Sequence, residues 1–142
     1  MTITASKLRK LFIEYNEKYF DSYLSFPKLT TFVGESSMGL FFVRKKKSGF
    51  IEKEIAIARN FKINEEELRD LILHEMIHQY VYEKYGKMNH GRYFKRKMNE
   101  LNKTYGLDIR KNSKHLFKKY GYRKTFFEKI VSMFRNKNNA AQ

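Results

Sequence analysis

The fold is decided by residues 64–91, which read NEEELRDLILHEMIHQYVYEKYGKMNHG. Asn64 is a preferred residue at a helix N-terminus, and the three glutamates that follow it suit the positive end of the helix dipole. Glu67 stands three residues after Asn64, which is the spacing of a capping box. Apolar residues then recur every three or four positions up to Gly86, a residue type that commonly ends helices. The segment therefore predicts one long amphipathic helix over residues 64–85.

Residues 74–78 of this helix read HEMIH. Because residues four positions apart share one face of a helix, His74 and His78 can direct their imidazoles at one point, as a Zn²⁺ ion requires. Glu75 lies about 100° around the helix and can reach a water molecule at the metal without binding the metal itself. Two ordinary histidines on a helix face are the alternative, but a capped amphipathic helix is the setting that the motif demands. The motif therefore predicts a zinc centre with a catalytic glutamate.

A catalytic zinc ion normally takes three protein ligands and keeps one position open. The chain has no cysteine, so the third ligand has to be a histidine or a carboxylate. His90 stands at the start of the next predicted helix, and a chain that turns back after Gly86 brings it over the motif. Glu100 on that helix and His115 in a basic stretch remain as alternatives. We expect a single Zn²⁺ ion bound by His74, His78 and His90.

The segments around this helix predict an α+β fold. Residues 4–20 repeat their apolar side chains at helical spacing, and residues 90–105 do so again before Gly106. Stretches rich in β-branched and aromatic residues predict a small antiparallel three-stranded sheet, with strands at 29–33, 39–44 and 54–59. The last two strands are joined by a basic turn. Further along, the pattern predicts a short strand at 107–110, a short amphipathic helix at 123–135 and a disordered end.

The composition bounds the class of protein. With 142 residues, 42% of them hydrophobic, the chain is long enough to bury one compact core. The absence of cysteine excludes a disulfide framework, an iron–sulfur cluster, a cysteine-ligated zinc ribbon and a cysteine nucleophile. No apolar run reaches the length of a membrane-spanning helix, and the first residues lack the pattern of a signal peptide. We therefore expect a cytoplasmic protein, associated with the nucleoid if its source is bacterial.

The formal net charge of +15 predicts an anionic partner, and the excess is unevenly placed. Residues 65–100 hold seven basic and seven acidic groups, whereas residues 101–142 hold eleven and two. A basic turn and a stretch at 110–127 that interleaves basic and aromatic residues predict contacts with phosphates and unpaired bases. The candidate contact residues are Arg44, Lys45, Lys46, Lys47, Lys118, Lys119, Tyr120, Arg123 and Lys124. The alternatives are a solvated hairpin tip and aromatic side chains packed on the core.

A resemblance to a known family appears in residues 68–102, which read LRDLILHEMIHQYVYEKYGKMNHGRYFKRKMNELN. The upstream segments FPKLTTFVGES and SMGLF fit as well, so that residues 5–110 together resemble the SprT-like zinc metalloprotease family, which includes the Spartan proteases. The resemblance implies a compact zincin-like fold, with His74, His78 and His90 as zinc ligands and Glu75 as the catalytic residue. It also implies cleavage of proteins crosslinked to DNA and activation by DNA, although the cysteine-rich ribbon of many members has no counterpart here.

We therefore expect residues 1–110 to form a SprT-like metalloprotease core and residues 111–142 to form a basic aromatic extension. The expected function is that of a monomeric zinc metalloendopeptidase that associates with single-stranded or junction-like DNA and cleaves DNA-bound or DNA-crosslinked proteins. A substrate peptide would lie along strand 39–44 or strand 54–59. The alternatives are a nucleic-acid-binding module with a structural or idle zinc site, which the intact Glu75 disfavours, and a peptidase that acts at a membrane surface.

Overall fold

A computed structural model of the chain describes residues 1–120. The helices and strands are, in chain order, α1 (Ala5–Phe20), β1 (Lys28–Phe32), β2 (Gly39–Lys45), β3 (Ile51–Ala58), α2 (Glu65–Tyr85), α3 (Arg92–Tyr105) and α4 (Lys114–Tyr120). The fold is α+β, as the sequence predicts. The predicted helix at 123–135, the disordered end, Arg123 and Lys124 lie outside the described residues. None of the described helices is long and apolar enough to cross a lipid bilayer.

Side-chain hydrogen bonds cap the N-terminal ends of α1 and α2, and a glycine ends α2 where the sequence predicts it. At the start of α2, the Asn64 side chain accepts a hydrogen bond from the Glu67 N–H at 2.8 Å, and the Glu67 carboxylate accepts one from the Asn64 N–H at 2.9 Å. This reciprocal pair is the predicted capping box. The helix ends at Gly86, whose left-handed backbone (φ 67°) suits glycine. At the start of α1, the Thr4 hydroxyl accepts a hydrogen bond from the Lys7 N–H at 3.1 Å.

The sheet is mixed rather than antiparallel, which corrects the prediction. Its strand order is β1–β3–β2; β2 and β3 form the predicted antiparallel hairpin, but β1 pairs with β3 in parallel. β3 takes the centre, where β1 and β2 pair with its two edges, and both of its faces are buried as well. Ile55 and Ile57 are buried on one face, and the small side chains of Ala56 and Ala58 are buried on the other. After β1, the chain passes the central position and forms β2 at the opposite edge of the sheet. It then turns back through the hairpin and forms β3 in the centre, between β1 and β2.

The core lies between the sheet and the helices α1 and α2. Both helices contact the sheet, and the α2 residues Leu73, Met76 and Ile77 are fully buried. α3 packs on α2, and its residues Phe94 and Leu101 are buried. The helix that carries the HEMIH motif is therefore held from the side of the sheet and from the side of α3 at once.

The chain after α3 departs from the prediction in two places. Residues 107–110 are not a strand: they lie outside the sheet, and the Asn102 side chain bonds both backbone groups of Ile109, at 2.8 and 2.9 Å. The sequence pattern also fails to predict α4, because lysines dominate its seven residues. This helix nevertheless packs on the domain, since the Phe117 ring meets the Phe61 ring edge-on at a centroid distance of 5.4 Å.

Candidate metal centre

Three histidines converge on one point of the structure. The Nε2 atoms of His78 and His90 lie 3.0 Å apart, and His90 Nε2 lies 3.3 Å from His74 Nε2. Within residues 1–120, this is the group of histidine and acidic side chains that is compact enough to hold a metal ion. The alternatives considered from the sequence lie elsewhere: Glu100 pairs with a lysine of α3 at 3.1 Å, and His115 belongs to α4. The fold thus assembles the histidine set that the sequence analysis selects.

The turn between α2 and α3 brings His90 over the motif. Gly86 ends α2 in the left-handed conformation, and the Asn89 side chain accepts a hydrogen bond from the Gly91 N–H at 3.0 Å. The sequence analysis places His90 at the start of the next helix. In the structure α3 begins at Arg92, so His90 lies instead in the connection that precedes it. This short turn sets the position of the third imidazole relative to the two histidines of α2.

A buried phenylalanine forms the floor of the centre. The Phe94 ring is fully buried, and its centroid lies 4.9, 4.6 and 4.8 Å from the ring centroids of His74, His78 and His90, respectively. The sequence pattern assigns Phe94 to the inner face of α3, but it does not reveal this contact with all three imidazoles. The Phe94 ring covers one side of the three imidazoles, so that a metal ion or a substrate has to approach from the other side.

Burial keeps the histidines neutral, which is the form that binds a metal. It lowers the pKa of His74 to about 4 and that of His78 to about 3. The pKa of His90 is also lowered, by burial and by the charge of Lys111. His74 Nδ1 lies 2.7 Å from the carbonyl oxygen of Arg110. Since a carbonyl can only accept a hydrogen bond, Nδ1 carries the proton and Nε2 keeps its lone pair for a metal.

The donor set therefore fits a metal ion such as Zn²⁺. Its nitrogen atoms lie within 4.8 Å of one another, and the imidazoles that carry them are neutral. Neutral imidazole is a good ligand for zinc, and three protein ligands are the usual number in a catalytic site. The hydrogen bond from His74 to a backbone carbonyl is the kind of outer contact that orients a ligating histidine.

Glu75 lies beside the histidines and is itself buried. Its Oε1 atom is 3.8 Å from His74 Nε2, and burial raises the pKa of the carboxyl group to about 8. Gly39, the first residue of β2, makes this position possible, because a Cβ atom there would lie 3.0 Å from Glu75 Oε1 and 3.2 Å from its Cγ. Sequence reasoning missed this role of Gly39, since nothing in the local sequence tells which helix the strand meets.

The predicted basic turn lies at the tip of the β2–β3 hairpin, where some of its charges are paired. Arg44 and Lys46 each lie 3.9 Å from a carboxylate oxygen of Glu52 on the neighbouring strand. Lys45 and Lys47 are exposed. The hairpin tip therefore presents all four cations to solvent, and two of them, Arg44 and Lys46, have an acidic partner within 4 Å.

The predicted contact residues on α4 are placed differently from one another. Lys118 is exposed, whereas Lys119 and Tyr120 both contact Glu67 in the capping box of α2. The Lys119 ammonium lies 2.9 Å from the Glu67 carboxylate, which also accepts a hydrogen bond from the Tyr120 hydroxyl. These two contacts tie α4 to the start of the motif helix, so Lys119 and Tyr120 stabilise the fold at this point.

The longest described helix of this α+β domain carries HExxH, which supplies two histidines and a buried glutamate. The turn after this helix supplies the third histidine of the cluster. These features define the class of HExxH metal-centre domains. The model of the SprT-like family matches residues 8–115, and the chain belongs to this family. The matched range contains Glu75 and the three histidines, and the resemblance noted in the sequence is confirmed. A search among curated proteins finds no match. The chain is thus a metalloprotease-like domain.

Proposed function

We propose that this chain is a zinc-dependent metalloendopeptidase of the SprT-like type. The observation that carries the proposal is the buried Glu75, whose Oε1 lies 3.8 Å from His74 Nε2 in the cluster of three histidines. A catalytic zinc site has three protein ligands and an open position, whereas a structural site is closed by four. Burying a carboxylate costs free energy, and a structural or idle zinc site would gain nothing in return. The arrangement therefore favours an enzyme over a nucleic-acid-binding module with an idle zinc ion.

The chemistry divides between the metal and the side chains around it. When bound, Zn²⁺ acts as a Lewis acid that polarises the scissile carbonyl and activates water. Glu75 is placed to accept the proton of the attacking water and to pass it to the leaving amine. Without metal, burial raises the pKa of this carboxyl group to about 8; the charge of a bound Zn²⁺ would lower it and favour the carboxylate form that accepts the proton. Phe94, beneath the three imidazoles, excludes water from the closed side of the centre.

The edge strand β2 is the proposed binding site for an extended substrate. Within the described chain, β2 pairs with β3 on one side, and it starts at Gly39, directly beside Glu75. A peptide added to the other edge of β2 would hydrogen-bond to the strand and pass close to the carboxylate. The alternative strand, β3, is excluded as an edge because it is paired on both sides.

We further propose that the enzyme works at DNA, on DNA-bound or DNA-crosslinked proteins. The support is charge: the formal net charge is +15, and Lys45, Lys47 and Lys118 are exposed. Such cations bind phosphates irrespective of sequence, and single-stranded or junction-like DNA adds unpaired bases that stack on aromatic side chains. In this proposal the chain is monomeric and cytoplasmic, with a protease core at 1–110 and a basic extension at 111–142.

The protease proposal is tested by the cleavage of denatured casein and of histone, together with metal analysis. In Glu75→Gln, we expect bound zinc to remain and the cleavage rate to fall by about 10²–10⁴-fold, the usual contribution of a general base. Glu17→Gln, which changes an exposed glutamate on α1, is the matched control and should cleave like the wild type. Cleavage by Glu75→Gln at the wild-type rate would contradict the mechanism.

The DNA proposal needs its own arm of the same assay, with single-stranded and double-stranded DNA added. A cleavage rate that rises with DNA, and loses this rise at high salt, would support the proposal, because phosphate contacts are weakened by salt. A rate that DNA does not change would leave the protease proposal standing and contradict the DNA proposal. Binding to anionic vesicles without binding to DNA would favour the membrane-surface alternative.

A further inference from the structure

The carbonyl group that orients His74 belongs to the segment after α3. Residues 106–113 connect α3 to α4, and within this segment the Arg110 carbonyl oxygen lies 2.7 Å from His74 Nδ1. The contact uses the backbone, so the side chain of Arg110 does not itself hold the imidazole. The orientation of His74 therefore depends on what fixes the peptide group between Arg110 and Lys111, to which this carbonyl belongs.

Asn102 of α3 fixes the backbone of Ile109, the residue immediately before Arg110. Its Oδ1 atom accepts a hydrogen bond from the Ile109 N–H at 2.8 Å, and its Nδ2 atom donates one to the Ile109 carbonyl at 2.9 Å. The backbone carbonyl of Asn102 also accepts from the N–H groups of Gly106 and Leu107, where α3 ends. Ile109 is buried, so its backbone groups need a protein partner in place of water. One residue thus ends α3 and holds the returning chain next to the Arg110 carbonyl.

A second asparagine of the chain makes the same pair of hydrogen bonds in a different setting. Asn16 of α1 bonds both backbone groups of Leu24, at 3.0 and 3.1 Å, and its own carbonyl accepts the N–H that ends α1. Asn16 and Asn102 therefore share a position at a helix end and a clamp on the returning chain. The residues beside Leu24, however, contact Gln79, Tyr80 and Glu83 of α2, none of which belongs to the histidine cluster. Asn16 is thus a natural reference for what the clamp contributes to folding alone.

We propose that Asn102 is a positioning residue of the metal centre: it holds the backbone of Ile109, and through it the following Arg110 carbonyl that orients His74. This inference rests on the proposed zinc role of the three histidines. An outer partner sets the tautomer and the ring orientation of a ligating histidine, and its removal typically weakens metal binding about 10- to 100-fold. Asn102 lies one step further out, so its loss leaves the Arg110 carbonyl present but no longer held. Zinc affinity should therefore fall about 10-fold, at the lower end of that range.

The test compares Asn102→Ala with Asn16→Ala in the full chain. Zinc affinity is measured by competition with a chromophoric chelator, and thermal unfolding is measured on the metal-free proteins. Each substitution removes a clamp of the same geometry, so both should lower the unfolding temperature. Zinc binding should weaken about 10-fold in Asn102→Ala and stay at the wild-type level in Asn16→Ala. Equal zinc affinities in the two variants would overturn the proposal.

Two further measurements keep the result decisive. Asn102→Asp retains the acceptor for the Ile109 N–H and loses the donor to its carbonyl, so its zinc affinity should lie between those of the wild type and Asn102→Ala. If the alanine variant does not fold, Asn102→Asp carries the test, and a wild-type affinity in it overturns the proposal. Nitrogen NMR of the His74 ring in the metal-free protein shows whether Nδ1 keeps its proton, a signal that a purely structural role of Asn102 would leave unchanged.

The failure of this proposal can be told apart from the failure of the proposed function. If the wild-type protein binds no zinc, the proposed function is wrong and the role of Asn102 is rejected with it. If the wild type binds zinc and Asn102→Ala binds it equally well, the zinc centre stands and the positioning role alone is rejected.

Discussion

The metal centre and the tip of the β2–β3 hairpin hold their functional side chains in opposite ways. The three histidines come from α2 and from the turn after it, and they meet over the buried Phe94 ring. The four cations at 44–47 are neighbours in sequence, and they extend into solvent or pair with Glu52. Desolvation keeps the histidines neutral and their contacts with the Phe94 ring fix their direction, whereas exposure leaves the cations their charge without a fixed direction. Bond cleavage needs the first arrangement, and attraction of a polyanion needs the second.

The same contrast decides how each region responds to substitution. In the metal centre each side chain has a defined partner, so one change removes an interaction that nothing replaces. At the hairpin tip the lysines act through their summed potential, which salt screens and which neighbouring cations partly restore. Single substitutions should therefore matter far more at the centre than at the tip.

Replacing His90 should have the largest effect, since this residue supplies one of the three converging nitrogen atoms. We expect His90→Ala to weaken zinc binding by more than ~100-fold, which exceeds the effect of losing an outer partner, and to abolish cleavage. Metal content after dialysis checks this expectation. Glu100→Ala and His115→Ala, which change the two alternative ligands, should retain wild-type metal content. Metal loss in one of these controls but not in His90→Ala would mean that the third ligand is wrongly assigned.

A methyl group at Gly39 should have an intermediate effect, because it presses on Glu75 and leaves the histidines alone. The added Cβ would lie 3.0 Å from the carboxylate, which would have to move by a few tenths of an ångström. Since a displacement of about 1 Å can cost about 100-fold in rate, we expect Gly39→Ala to cleave about 10-fold more slowly. Its zinc content should equal that of the wild type. A wild-type cleavage rate would show that β2 does not confine Glu75.

Two lysines at the hairpin tip should have the smallest effect. In the double variant Lys45→Gln and Lys47→Gln, the affinity for single-stranded DNA should depend less steeply on salt. The magnitude of the slope of log affinity against log salt should decrease by about 1.4, or about 0.7 for each lost phosphate contact. Zinc content should not change. The control pair, Lys10→Gln and Lys103→Gln, removes the same charge from exposed positions on α1 and α3. An equal fall in slope for both pairs would mean that net charge, rather than the hairpin tip, attracts DNA.

Most of the metal centre can be predicted from the sequence, because the spacing that defines it is local. A helix fixes the relation of His74 to His78, and the capping box at Asn64 fixes where that helix begins. The assignment of His90 as the third ligand follows from the absence of cysteine and from the small number of histidines, four in the whole chain. The fold class follows in the same way, since the helices and strands have clear hydrophobic periods.

The features that the sequence does not reveal depend on contacts between distant segments. The parallel pairing of β1 with β3 joins segments that are distant in the sequence, and the burial of β3 on both faces is hard to recognise because Ala56 is small. α4 is hidden by its lysines, although its apolar residues pack on the domain. The roles of Gly39 and Asn102 require knowledge of where Glu75 and the Arg110 carbonyl lie, and no local pattern supplies it.

α2 carries its two histidines far from both of its ends. His74 and His78 are the tenth and fourteenth residues of a 21-residue helix, with a capping box before them and Gly86 after them. The ends of a helix open and close on their own at little cost, whereas its central turns open when the whole cooperative unit unfolds. Fraying therefore does not reach the two imidazoles, and this pair of ligands keeps its spacing for as long as the domain stays folded.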